Sequence, residues 1–162
     1  MSEGNAIPNP ATLIGRMAGA LSVWVQGVEI ERGESSAALS FTHPVHGATV
    51  MAIADAGDPD AEPAIPPSVG VFVILGDFDA MADDKDAIRK LFGLNASLMS
   101  CAVGLLQLNA DEVATALCRR LPSAEVDVAA VRDLVDAMIW EYANCAGFLR
   151  ESDSIGPAEA AS

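Results

Sequence analysis

Between Asp127 and Glu151 the chain places Val128, Val131, Leu134, Val135, Met138, Ile139, Tyr142, Cys145, Phe148 and Leu149 at steps of three and one residues. A helix turns once every 3.6 residues, so this spacing gathers all ten side chains into one continuous stripe. Arg132, Asp133, Asp136, Glu141 and Asn144 fall on the other side, which predicts an amphipathic helix lying on an apolar surface with its polar side to water. Both ends are signalled. The Asp127 carboxylate can cap the first free amides, Arg150 sits where the helix dipole favours a cation, and Gly156-Pro157 follows. No other stretch offers as much apolar surface, so the remainder of the chain must supply what this helix covers.

That surface reads as strands. Ser36–Thr42 and Ala48–Ala54 alternate in polarity around Pro44 and Gly47 and predict a hairpin. Val69–Phe78 is apolar and β-branched, which suits a central strand covered on both sides or by a partner chain. Leu98–Leu108 and Val113–Leu121 form a second hairpin that stops at Pro122, a residue with no ladder donor. Two shorter helices complete the set. Asn9 and Pro10 open the first, with Leu13, Ile14, Met17 and Leu21 on one face. Gly15 and Gly19 weaken it and suggest that something packs closely there, and Val23–Ile30 gives way to an extended run. Asp79–Asp84 open the second, which carries Ile88, Leu91, Phe92 and Leu94 and ends near Gly93. The expectation is an α+β fold, an antiparallel sheet with helices in the order α-β-β-β-α-β-β-α. It forms one domain over 11–151 between flexible tails at 1–10 and 152–162, with 56–68 a mobile loop. Val135, Met138, Ile139, Tyr142 and Leu149 are expected in the core.

Charge narrows the partners. Nine Lys and Arg against 23 Asp and Glu leave a net charge of −14, which repels phosphate backbones and anionic headgroups and argues against nucleic acid and membrane partners. Cys101, Cys118 and Cys145 are odd in number and set among apolar residues, as reduced packing cysteines are. With no signal-peptide pattern and no apolar run of spanning length, a cytoplasmic location is expected, without membrane insertion.

Catalytic and metal chemistry is weakly signalled. His43 and His46 bracket Pro44-Val45 but have no third ligand cluster, so a turn with two surface imidazoles is the better reading, and no metal is expected. Asp83, Asp84 and Asp86 lack the glycine and distal glutamate of a calcium loop. Cys101 has no histidine nearby in sequence, and Leu75-Gly76-Asp77-Phe78 puts an acid where a phosphate cradle needs amides and a lysine. No catalytic residue and no cofactor are expected. The short helix and Leu98–Leu108 are together more apolar than a small monomer's surface should be, which points to a two-fold homodimer through Leu91, Phe92, Leu98 and Met99.

The stretch Lys90–Leu121, KLFGLNASLMSCAVGLLQLNADEVATALCRRL, followed by Pro122–Asp127 and the long helix, resembles the class I type III secretion chaperone family, the Tir-chaperone-like proteins. The resemblance rests on Leu91-Phe92-Gly93-Leu94-Asn95 at the end of a short helix, two strands, the close Arg120-Leu121-Pro122, and a C-terminal helix with Trp140 near its middle. It implies a homodimeric, non-enzymatic α+β protein that holds the N-terminal segment of a secreted effector in extended form. Leu13, Met17 and Leu21 and an exposed strand edge would be the contact surfaces. The similar YbjN-like family shares the layout and implies instead a regulatory protein-interaction domain.

Overall fold

The computed structural model describes residues 9–153 and, within them, every side chain but those of residues 128 and 146–153. The elements follow as α1 (Pro10–Ser22), β1 (Glu29–Arg32), β2 (Ser36–Thr42), β3 (Thr49–Asp55), β4 (Ser68–Asp77), α2 (Lys85–Gly93), β5 (Ala102–Asn109), β6 (Glu112–Pro122) and α3 (Val128–Asp153). This is the expected α+β class with one more strand, because the extended run after α1 pairs with β2 as β1. Asn9 Oδ1 accepts from Thr12 N at 2.8 Å with Pro10 in the first helical position, so α1 opens at the pair expected to open it. Asp84 caps α2 through the amides of Asp86 and Ala87, and Asp127 caps α3 through Ala130 N at 2.7 Å. The remainder of the two expected tails lies outside the described residues, apart from the end of α3.

The six strands form one antiparallel sheet in the order β1-β2-β3-β4-β6-β5, with β1 and β5 at its edges. Register places Phe41, Val50, Val73, Leu117 and Val103 in one row across five strands, with Leu39, Ala52 and Val71 in the next. These side chains are buried together under the helices: α1 lies over β2 and β3, α3 lies over β4, and Leu91 of α2 joins the same core. The alanines Ala37, Ala52 and Ala54 let α1 approach the sheet closely. From α3, Val131, Val135, Met138, Ile139 and Cys145 are buried as the stripe predicts; Tyr142 is only half-buried, and Leu149 falls outside the described side chains. All three helices therefore occupy one face. Within the chain β4 is covered on one side only, with Phe72 and Ile74 on its other face partly exposed, which leaves the alternative of cover by a partner chain.

Two further segments differ from their sequence reading. The strand expected from Leu98 starts only at Ala102, because Leu94–Ala96 make a 3-10 turn and side chains capture the next amides: Asn95 Oδ1 takes Val103 N at 2.6 Å and Glu141 takes those of Met99 and Ser100. The 56–67 loop is hydrogen-bonded rather than loose. Asp58 and Ile65 exchange two backbone bonds of 2.8 Å, and Asp55 and Asp58 each accept from the amide two residues on. Gly57 lies at φ +73° against the Ile65 carbonyl, where a Cβ would collide.

Two substitutions test this architecture. Ile139→Asp places an unpaired carboxylate against the sheet and is expected to abolish the cooperative thermal transition. Gly15 is exposed with nothing within 4 Å of an added Cβ, so Gly15→Ala should raise stability by about 0.5–1 kcal/mol in urea unfolding.

Candidate functional site

The inward stripe of α1 is consumed by the sheet. Leu13, Met17 and Leu21 are each only 2% exposed and hold α1 down on the sheet, so the accessible part of α1 is its outer flank, which Met17 and Leu21 reach only at their edges. That flank forms a groove with the start of α3. Arg16, Met17, Gly19 and Ala20 line one wall and Val126, Asp127 and Val131 the other, enclosing about 520 Å³. Nothing packs on Gly15 or Gly19, contrary to the close approach their presence suggests; Gly19 instead keeps the wall low. Beyond Ala20 a second hollow of about 270 Å³ continues along Leu21, Val23, Trp24 and Arg132.

An aromatic and cationic stack closes this end. The Arg132 guanidinium lies 5.8 Å from the Trp24 ring centroid, Trp24 meets the His43 ring edge-on at 5.6 Å, and His43 stacks on His46 at 5.8 Å. His43 is buried, which corrects the reading of two surface imidazoles. Burial, and then the neighbouring His46, hold it below the ordinary histidine range against a smaller opposing pull from Asp136. Its Nδ1 accepts from Val45 N at 3.4 Å, a long bond that keeps the neutral ring oriented. No group of three or more His, Cys, Asp or Glu able to hold a metal occurs among the described residues.

The second notable arrangement was missed in the sequence. Glu141, expected on the water side of α3, is 5% exposed. Its Oε1 accepts from Met99 N at 2.7 Å and Ser100 N at 3.1 Å, and its Oε2 accepts from Cys101 Sγ at 2.7 Å. Burial pushes the Glu141 carboxyl up, but the bonds from Cys101, Met99 and Ser100 outweigh it and hold the group below its usual range. The same contact, added to burial, pushes the Cys101 thiol well above its ordinary value, so this cysteine is a hydrogen-bond donor and a poor nucleophile. Burial likewise raises Cys118 and Cys145. Spacing did carry a signal: Glu141 stands three residues after Met138 and four before Cys145, on the buried stripe itself.

The carboxylate clasp fixes the link between α2 and β5, and with it the residues expected at a dimer contact. Leu91 is 0% exposed and belongs to the core, which removes it from that set; Leu98 is half-buried against the core, Phe92 is exposed, and the Met99 side chain is 91% exposed. Leu105 and Leu108 are exposed on β5, whose outer edge pairs with no strand and is engaged at Val103 N by Asn95, whereas the other edge strand, β1, is short and charged. No described helix is long and apolar enough to cross a membrane. Compared with protein-family models and with curated proteins, the chain matches none.

Because the folded chain favours ionised Glu141, its contribution to stability is complete above the unfolded-state value of about 4.3 and is lost as pH falls through the lower folded value. Glu141→Gln should cost about 1–3 kcal/mol at pH 7 by leaving buried donors poorly matched. The difference from the parent chain should narrow in urea unfolding at pH 3, and Cys101 should react faster with maleimide in the variant.

Proposed function

We propose that this chain is a non-enzymatic, cytoplasmic peptide-binding chaperone of the secretion type, which holds the N-terminal segment of a secreted protein in extended form. The α1–α3 groove is the observation that carries this reading. It is mainly apolar, adjoins a second hollow through Ala20 so that neighbouring side chains of a segment can enter both, and is bordered by Arg16 and Asp127, with Arg132 at the second hollow. Cations beside an apolar trough favour a segment whose apolar residues are flanked by acids, while the overall charge of −14 repels such a segment from the rest of the surface and so confines it to the groove. The outer edge of β5 offers a second mode, strand addition, with Leu105 and Leu108 beside it. In this reading Phe92, Leu98 and Met99 contribute to a homodimer contact, and no cofactor takes part.

The test begins with affinity purification from the native host and identification of any stoichiometric partner, whose N-terminal segment is then titrated by calorimetry. Binding by that segment alone is expected, and Ala20→Glu or Arg132→Glu should weaken it by about tenfold or more without lowering the thermal midpoint. Partners that bind only as folded domains, or a segment indifferent to both substitutions, would overturn the reading.

A further inference from the structure

The face of the sheet turned away from the helices is apolar at its centre and charged at its ends. Register sets Glu31, Ala38, Ile53, Gly70 and Arg120 in one row across β1, β2, β3, β4 and β6. The neighbouring row reads Glu29, Ser40, Met51, Phe72 and Cys118. The Phe72 ring lies back over Gly70, where an added Cβ would come within 2.7 Å of it, so the two rows form one continuous surface. Arg120 makes no ion pair among the described residues; its Nη1 donates to Ser68 Oγ at 3.2 Å. Arg120 is exposed at the rim of the apolar face, where its guanidinium is accessible to a carboxylate from outside.

We propose that this face binds a second copy of the chain, sheet on sheet, about a two-fold axis running along β3. The strand order places β1 two strands to one side of β3 and β6 two strands to the other. Rotation about β3 therefore lays β1 of each copy over β6 of its partner and brings matching rows together at the axis. Glu31 then faces Arg120, and the symmetry makes that pair twice. The interior is complementary as well: Ile53 and Met51 meet their own counterparts on the axis, Ala38 lies over Gly70, and Ser40 lies over Phe72, a small side chain against each large or bare one. Aligned sheets pack about 10 Å apart with their strands turned by about 30°, and the corner gaps this opens are of a size that Glu and Arg side chains span. The five strands that overlap, at about 4.8 Å spacing and about 23 Å length, give a plan area of at most about 550 Å². Corrugated by side chains, that is comparable with the roughly 800 Å² each partner contributes to a standard interface. One juxtaposition opposes it. Asp55 meets its own counterpart at the strand end, although its carboxylate is engaged by Gly57 N at 2.6 Å. This surface lies on the opposite side of the sheet from α2, so it is distinct from the contact through Phe92 and Met99.

Sedimentation velocity and equilibrium on the full chain decide the matter. Glu31→Arg and Arg120→Glu should each weaken association by about tenfold or more, since each sets like charges opposite one another twice. The double exchange should restore it, and circular dichroism of each variant verifies that the domain is folded. Asp55→Asn, which keeps the acceptor for Gly57, should tighten association, and Phe72→Glu should abolish this interface. A parent chain that stays monomeric at all concentrations would overturn the proposal. So would association that responds to Met99→Glu but not to the charge exchange, or folded single variants that the double exchange fails to rescue.

Discussion

The fold depends on burying one face of an antiparallel sheet beneath helices that arrive from both ends of the chain. Valines and small alanines across β2, β3 and β4 make a floor on which α1 and α3 lie in contact with each other. Neither helix has a partner for its stripe without that floor, and the floor has no cover without them. The arrangement also has a geometric remainder. Three helices on one side leave the other face only partly covered around Ala38, Met51, Ile53 and Phe72, and two adjacent helices leave a trough between their outer flanks.

Polar groups in the interior serve to position segments. The Glu141 carboxylate satisfies two backbone amides and a thiol at the point where the chain leaves α2 for β5, replacing strand pairing that this stretch does not make. Thr115, fully buried, donates its hydroxyl to the Gly76 carbonyl at the bulge in β4, and Asn95 receives the amide of Val103 as β5 begins. Each of these bonds closes a gap that the sheet ladder leaves open. Burial, and then the contact with the Glu141 carboxylate, hold the Cys101 thiol less acidic than usual.

Charge is distributed in the same spirit. Acids crowd the loops and helix starts, where they cap amides and keep the surface solvated, and three of the arginines stand beside apolar surface. Arg16 and Arg132 border the groove, and Arg120 borders the open sheet face. A cation beside apolar surface in an acidic chain defines which partners are tolerated more than how tightly they bind.

The sequence by itself determined the element types, because periods of two and 3.6 residues are local properties of the backbone. The stripe of α3, the caps at Asn9, Asp84 and Asp127, and the two hairpins are all legible that way. The class of the fold followed from them. Tertiary structure decided which apolar residues remain available. Leu13, Met17, Leu21 and Leu91 carry the same stripe signal as any binding face, and only packing against the sheet shows that they are spent in the core. It also decided the fate of Glu141 and His43, whose polarity suggested water until partners distant in sequence enclosed them. The groove and the sheet's open face are properties of how elements sit side by side. Periodicity reports one element at a time, whereas a surface between elements exists only once their order and register are set.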